Sequence, residues 1–369
     1  MKRTAVLLVL IETLAFSQTT VNPDISFLGD LLIRGNKESL ALSTSGLEIA
    51  AQGYVNPFAR ADLFVHIHDE DGTVEIEEAV LTIERGLPFN LGLRAGKFRP
   101  DFGKINREHN HTYHYIFAPR PMQSLLGEEM WSSPGVELSV LMPLPWYSKL
   151  SFSAMQNEMG GGHGHNEHID EKNNIEKEWQ DEEKWEEKEK KNEEVANSGV
   201  ITLRFSNFFE LNDITHLEAG LNHYRPPHEK EATVSGVDLK FKWRPDKYRS
   251  ITAQGEVMQG GEKEEHKEKK YHDEHLKQKN EKEAVTIAYG WVNIQLNKIW
   301  NIGLIVDYSS ELDDMEYMSF GGFIGFSPVE ESSVFRFRIQ REYVGNDKTS
   351  FSVLGQIIWS LGPHKPHRF

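Results

Sequence analysis

The chain has 369 residues, a formal net charge of −16, 38% apolar residues and no cysteine. Without cysteine it can form neither a disulfide framework nor a thiolate metal site, and the acidic balance argues against a nucleic-acid partner, because proteins contact phosphate through lysine and arginine. No stretch approaches the ~20 consecutive apolar residues of a transmembrane helix. A polar-lined β-barrel, in contrast, needs an apolar residue only at every second strand position.

The first residues have the pattern of an export signal. Lys2 and Arg3 give a positive start, residues 4–11 are mostly apolar, and Ala15 and Ser17 are small residues before a cleavage point. We therefore expect residues 1–17 to be a signal peptide and residues 18–369 to be the exported protein. Export without a transmembrane helix leaves a soluble exported protein or an outer-membrane barrel.

Alternation of apolar and polar residues, the pattern of a half-buried strand, recurs along the chain. Glu77 and Glu78 interrupt it, and we expect a β-bulge there. The alternating segments amount to about sixteen strands, an even number in the range of bacterial outer-membrane barrels. In chain order they are residues 25–34, 47–55, 60–68, 74–84, 91–95, 136–140, 150–154, 201–205, 217–221, 237–243, 251–257, 285–296, 299–308, 317–326, 334–343 and 351–361.

The connections between these segments alternate between short and long. Short turns such as Asn56-Pro57 fall at one end, and every long insert falls at the other, including charged, low-complexity segments at about 157–198 and 260–283. Short periplasmic turns and long external loops are typical of outer-membrane barrels. Aromatic residues beside the short turns would form a girdle at the membrane interface, namely Phe58, Phe89, Trp146, Tyr147, Phe208, Phe209, Trp243, Tyr248, Trp300 and Phe326.

These features predict an all-β protein, a transmembrane antiparallel β-barrel of about 16 strands that is apolar outside and polar inside. The alternative is a soluble β protein in which the same apolar face meets a core. Charged and polar residues opposite the apolar face would line the lumen, namely Asp30, Arg34, Glu48, Gln52, Arg60, Asp62, His66, His68, Lys240, Lys242, Arg336 and Arg338.

The third long connection, residues 96–134, has neither a helical nor a strand period and is rich in histidine and arginine. A connection this long in an ordered protein tends to be functional. We expect it to fold into the lumen, where charged side chains would set the ion preference; the alternative is an external lid. The candidate constriction residues are Lys97, Arg99, Asp101, Lys104, Arg107, Glu108, Arg120, Glu128 and Glu129.

Histidines form a second candidate site, because imidazole is a common ligand for zinc, copper and nickel. The candidate ligands are His109, His111 and His114 in the third connection, and His163, His165 and His168 in the next. Their spacing matches no defined structural zinc motif. Weak, unselective metal affinity in a hydrophilic loop therefore stands beside zinc capture as an alternative.

Four segments carry a resemblance to a known type of protein. They are NPDISFLGD, AGKFRPDFGKIN, GEEMWSSPGVELS and the tail SLGPHKPHRF. They resemble porin-like outer-membrane proteins that are distantly similar to phosphate-selective porins, some relatives of which carry a zinc-related receptor label. The resemblance spans most of the exported chain and is weak in the charged inserts. It implies a general porin-like role and a homotrimer, and it supplies no solute.

We therefore expect passive diffusion of small hydrophilic solutes or ions, with outer-membrane lipid as the partner and no cofactor other than zinc or another divalent metal in the external loops. The alternatives are an outer-membrane zinc-binding or uptake protein and an adhesion or binding barrel. Ser132 and Ser133 lie near histidines, but no nucleophile motif is present, and we expect no enzyme. The acidic excess favours cations, whereas the basic residues of the third connection favour anions.

Overall fold

Antiparallel strands fill most of the chain that the computed structural model describes, which comprises residues 23–36, 39–69, 72–156, 159, 199–226, 233–260, 284–312, 315–329, 332–345 and 348–362. The expected signal peptide lies outside these residues. So do the two charged external loops, apart from residues 159 and 260.

Seventeen strand segments form one sheet. They are β1 (Asp24–Gly35), β2 (Leu40–Ser43), β3 (Leu47–Asn56), β4 (Ala59–Ile67), β5 (Val74–Ile83), β6 (Leu91–Phe98), β7 (Ser133–Leu141), β8 (Tyr147–Met155), β9 (Val200–Asn212), β10 (Thr215–Arg225), β11 (Val234–Trp243), β12 (Ser250–Gly260), β13 (Val285–Gln295), β14 (Trp300–Leu312), β15 (Met315–Val329), β16 (Ser333–Val344) and β17 (Lys348–Leu361).

Pairing of the first strand with the last closes the sheet into a barrel. Strand β1 pairs antiparallel with β17, from Phe27 opposite Leu361 to Gly35 opposite Val353. Its other edge pairs with both β2 and β3, so these two segments act as one interrupted strand. At the interruption, Gly46 has φ +109°, and a Cβ there would lie 2.0 Å from the carbonyl oxygen of Ile67. The closed barrel therefore has sixteen strands, which confirms the expected architecture.

The two faces of the barrel follow the alternation of the sequence. On β13, Tyr289 and Trp291 are buried on the lumen side, whereas Val292 is exposed on the outside. Leu304 on β14 and Phe89 at a short turn are 69% and 85% exposed. A contiguous apolar belt of this extent is unfavourable in water and is suited to lipid. The barrel is apolar outside and polar inside, as predicted.

The predicted β-bulge is present in β5. The register between β4 and β5 shifts between Phe64 and Val65, so that Phe64 faces Glu78 and Val65 faces Ile76. Glu77 is the extra residue. Because the bulge interrupts the alternation, Glu77 and Glu78 are both buried on the lumen side although they are neighbours in the chain. Two adjacent carboxylates thus enter the lumen at one point of the wall.

Helical structure is confined to connections. One helix, α1 (Arg120–Leu126), lies in the connection between β6 and β7, and short 3-10 turns span Pro88–Asn90 and Asn110–Thr112. None of the helices in the described ranges has both the length and the apolar character needed to cross a membrane.

The lipid-facing belt predicts a sensitivity to charge. Leu304 lies four residues from the girdle residue Trp300 and points outward. We expect Leu304→Arg to lower the free energy of unfolding in lipid vesicles by roughly 2–4 kcal/mol, since an outward cation would lie in hydrocarbon. Urea titration followed by tryptophan fluorescence measures this loss, with Leu304→Met as the matched control. If the arginine variant and the control had equal free energies of unfolding, the apolar face would not be in contact with lipid at Leu304.

Candidate functional site

The connection between β6 and β7, residues 99–132, lies inside the barrel and has an apolar core of its own. Phe102, Tyr115 and Met122 are fully buried. Each such burial contributes roughly 1.5–3 kcal/mol. They belong to one cluster with inward side chains from strands around the wall, including Val80, Met155, Tyr224, Met258, Tyr289, Ile305 and Phe323. The lumen loop, as we call residues 99–132, is therefore packed against the barrel and is not an external lid.

Arg99 anchors the beginning of the lumen loop to the bulge of β5. Its Nη2 donates a hydrogen bond to Glu77 Oε2 (3.0 Å), and its Nη1 donates to the carbonyl oxygen of Glu108 (2.8 Å). The guanidinium is buried. Burial opposes its charge, but Glu77 and Glu78 outweigh burial and raise the pKa of Arg99. The bulge thus provides the carboxylates that this buried cation requires.

Asp101 attaches the lumen loop to the neighbouring strands β8 and β9 of the wall. Its carboxylate lies 2.5 Å from Lys149 Nζ and 3.3 Å from Arg204 Nε, and its backbone N–H donates to Glu137 Oε2 (2.9 Å). Burial disfavours the charged carboxylate, but Lys149, Arg107 and Arg204 hold the pKa of Asp101 well below its ordinary value. The aspartate is therefore ionised and bound to β8 and β9.

The chain turns at Gly103, which pins the lumen loop to the opposite side. The N–H of Gly103 donates to Asn222 Oδ1 (2.9 Å), and the N–H of Lys104 donates to Glu256 Oε1 (3.1 Å). Gly103 has φ +66°, and a Cβ there would lie 2.3 Å from Glu256 Oε1. The Lys104 ammonium pairs with Glu218. Burial, Lys240 and Arg204 nevertheless lower the pKa of Lys104 to about 8.

Two arginines of β16 hold the middle of the lumen loop. Arg336 Nη2 donates to the carbonyl oxygen of His111 (2.8 Å), and Arg338 Nη1 donates to that of Tyr115 (3.1 Å). Between them and α1, Ile116 adopts φ +78°, a left-handed conformation that is strained for a β-branched residue. The packing around the lumen loop sustains this strain.

The candidate histidines of the lumen loop separate into two environments. His109 and His111 stack with ring centroids 5.6 Å apart. His109 lies 3.4 Å from Glu77 and 3.2 Å from Glu78, and His111 Nδ1 lies 3.2 Å from Glu48. His114 instead packs edge-on against Trp291. The three do not share one ligand sphere. His163, His165 and His168 lie outside the described residues.

A cavity of about 450 Å³ separates the lumen loop from the end of the barrel that carries the short turns. Five of the nine candidate constriction residues line it, namely Arg99, Asp101, Lys104, Arg107 and Glu108. The other four lie elsewhere. Lys97 Nζ pairs with Glu75 (3.2 Å), Arg120 lies over the Tyr317 ring (5.5 Å), Glu128 is exposed, and Glu129 lies 3.9 Å from His68.

Most charges along the cavity are paired. Arg60 pairs with Asp62, Arg94 with Glu78, and Arg204 with Asp238 (2.7 Å). Within the described part of the chain, Arg107 and Lys240 line the cavity without an ion pair, and so do Glu84 and Glu108. Eight arginine and lysine side chains and seven aspartate and glutamate side chains line the cavity, so its wall has a formal excess of one positive charge.

Several partners of the lumen loop were not among the sequence candidates. Glu137, Arg204 and Glu256 occupy inward strand positions. The sequence could have identified them, because each is a charged residue at the inward position of an alternating strand. Ser132 has a structural role, because its Oγ donates to the carbonyl oxygen of Glu77 (2.5 Å). Ser133 is fully buried.

Comparisons with known proteins agree with the fold. No family model matches the chain. An uncharacterized protein of Aquifex aeolicus is 29% identical over 203 residues, which are 53% of this chain and 41% of that protein, so that the match spans less than half of the relative.

Solved structures match over almost the whole barrel. The anion-selective porin from Comamonas acidovorans aligns with a TM-score of 0.54 at 8% identity and covers 92% of this chain and 100% of its own. The outer-membrane channel DcaP of Acinetobacter baumannii gives 0.54 at 10% identity, covering 93% and 99%. OprB of Pseudomonas putida gives 0.53 at 8%, covering 92% and 94%. The chain has the fold of the porin-like outer-membrane barrels.

The anchoring of His109 predicts a dependence of stability on pH. Burial and Arg99 lower its pKa, but Glu77 and Glu78 overcome them and raise the pKa to about 9. The stabilisation is therefore fully present below the unfolded pKa of about 6.5 and is lost as the pH rises through about 9. We expect the difference in unfolding free energy between wild type and His109→Asn to fall by on the order of 3 kcal/mol across this range.

Urea unfolding in detergent with a chelator, at pH 6 and pH 10, measures that difference. His223→Asn, at an exposed histidine of β10, controls for the loss of a histidine elsewhere. A difference that stays constant with pH would show that His109 is not held as a cation.

Proposed function

We propose that the protein is an outer-membrane channel for passive diffusion of small hydrophilic solutes or ions, with the lumen loop as its constriction. The observation that carries the proposal is the attachment of this loop to β5, β8, β10, β12 and β16, on different sides of the wall. A segment fixed in this way narrows the lumen permanently. The charged cavity beside it provides a polar environment for a hydrated solute.

Anions are the favoured solutes. Arginine and lysine side chains outnumber carboxylates along the cavity by eight to seven, and two of these cations, Arg107 and Lys240, make no ion pair within the described residues. Burial raises the pKa of Glu108, which lines the cavity without an ion pair, and so disfavours its negative charge. In a confined space with low-dielectric walls, such cations attract counter-ions more strongly than they would in open water. The net charge of −16 opposes this preference only at longer range, because salt screens separations beyond about 8–10 Å.

Two further expectations belong to this proposal, and one alternative stands beside it. The channel works without covalent chemistry, since Ser132 is engaged with a backbone carbonyl. The barrel assembles as a homotrimer in lipid, as its resemblance to porins implies. The alternative of an adhesion barrel would depend on the acidic external loops, which lie outside the described residues.

Shortening the lumen loop tests the constriction. We expect replacement of residues 106–123 by a short Gly/Ser linker to raise single-channel conductance in planar bilayers several-fold, because the apolar core that fills the lumen is removed. Met142→Ala, in a short turn at the other end of the barrel, serves as a control for a change outside the lumen. An unchanged conductance in the loop variant would contradict the constriction.

The sign of selectivity is tested by reversal potentials in a salt gradient. We expect Arg107→Gln with Lys240→Gln to shift the reversal potential toward cations, because the cavity loses two positive charges that make no ion pair and its carboxylates then outnumber its cations. Arg85→Gln with Lys247→Gln removes the same charges at the short turns and should leave the potential near the wild-type value. Cation preference in the wild type, or equal potentials in the two double variants, would contradict an anion-selective cavity.

A further inference from the structure

The external end of the barrel contains a group of imidazoles and carboxylates that the channel proposal does not use. His66 and His68 lie near the end of β4, two residues apart, so that both side chains are on the lumen side. Their rings stack with centroids 4.6 Å apart and an interplanar angle of 25°. Glu75 of β5 and Glu129 of the lumen loop lie beside them. We call these four residues the mouth cluster.

The distances within the mouth cluster suit a shared cation. His68 Nε2 lies 3.5 Å from Glu75 Oε2, and its Nδ1 lies 3.9 Å from Glu129 Oε1. One ligand atom from each of His66, His68 and Glu129 lies within 4.8 Å of the others. A tetrahedral ion with ligands at ~2.0–2.1 Å holds them roughly 3.4 Å apart. Side-chain rotation is sufficient to close the difference, because His68 and Glu129 are 31% and 32% exposed.

His66 is oriented by a partner behind the ring. Its Nε2 lies 2.6 Å from the carbonyl oxygen of Ser45, which accepts the hydrogen bond. Metal-binding histidines usually donate their second ring N–H to such an oxygen, which fixes the tautomer. The other nitrogen, Nδ1, lies 3.1 Å from Glu77 Oε1. A cation bound at Nδ1 displaces the hydrogen bond to Glu77, and the proton of that bond is released to solvent.

Charge distinguishes the mouth cluster from a second group farther inside. Glu48, Glu77 and His109 also have ligand atoms within 4.8 Å of one another. There, however, the Arg99 guanidinium lies 3.0 Å from Glu77 Oε2 and already balances the carboxylates. In the mouth cluster, Lys97 pairs with Glu75, and no arginine or lysine of the described residues pairs with Glu129. Glu129 and the His68 ring therefore remain available for a dication, which displaces the proton of His66.

We propose that His66, His68 and Glu129, with Glu75 as a fourth ligand, form a binding site for a divalent transition-metal cation at the external mouth. Two imidazole nitrogens with carboxylate oxygens suit zinc, copper or nickel, whereas calcium and magnesium require oxygen ligands. Because Glu129 belongs to the lumen loop, His66 to β4 and His68 to the residue that follows β4, the bound ion joins the end of this loop to the wall. The site does not depend on which solute the channel passes.

Zinc titration of the full-length exported chain in detergent micelles tests the site. The chain has 16 histidines, so the measurement is the difference between variants. We expect wild type to bind one more Zn²⁺ per chain than His68→Asn with Glu129→Gln, and each single variant to lose at least tenfold in affinity at that site. His223→Asn, whose ring faces Ser235 on β10, should match wild type.

Cobalt provides a second measurement that is independent of stoichiometry. Tetrahedral Co²⁺ with nitrogen and oxygen ligands gives visible absorption bands, which we expect in wild type and His223→Asn and not in the double variant. The heat-dependent shift of the barrel band in SDS gels verifies that each variant is folded. Equal Zn²⁺ stoichiometry and equal Co²⁺ spectra in wild type and the folded double variant would overturn the proposal.

Discussion

The structure depends on a constraint that comes from closing the sheet. In a closed barrel whose outside meets lipid, a charged strand residue at the depth of the hydrocarbon is costly unless it points inward. The lumen then collects many charges where water is limited, and each buried charge is costly unless it is paired. The wall contributes Glu77, Glu78 and Arg204, and the lumen loop contributes the opposite charges of Arg99, His109 and Asp101 at matching positions.

The lumen loop therefore neutralises buried charges of the wall in addition to filling the lumen. Removal of one partner from a buried pair typically costs 3–5 kcal/mol, because the other charge stays buried without compensation. Arg99 with Glu77 and Asp101 with Lys149 are pairs of this kind, and both join the lumen loop to the wall. The same interactions that satisfy the wall also position the loop. This explains how a segment without a periodic sequence occupies one place in the lumen.

Local sequence signals predicted the parts of the structure that depend on neighbouring residues. The alternation of apolar and polar residues predicted the strands, and its interruption at Glu77 and Glu78 predicted the bulge. The length of the third connection predicted the lumen loop. The pairs that join distant parts of the chain could not be predicted, because they depend on register and barrel closure. Gly103 bonds to Asn222, and Arg336 bonds to the carbonyl of His111, more than one hundred residues away in each case.

The same limit applies to the candidate site. All nine charged residues of the third connection were equivalent in the sequence, yet only five line the cavity. The difference arises where the chain leaves the wall, since Lys97 still belongs to β6 and Glu129 has already returned to the mouth. Histidines showed a similar separation. His109 and His111 face carboxylates, whereas His114, only three residues further on, faces Trp291.

The two ends of the lumen loop are joined in a way that opposes its movement. Asn106 is fully buried, donates to the carbonyl oxygens of Pro100 (3.1 Å) and Trp131 (3.2 Å), and accepts from the N–H of Trp131 (2.9 Å). One side chain thus joins the two ends of the loop. Hinge motion requires residues that absorb backbone rotation at such ends, and Asn106 opposes it. In the proposed channel, modulation of passage would therefore act through charge at the cavity and the mouth, where a proton or a bound cation changes the field without moving the backbone.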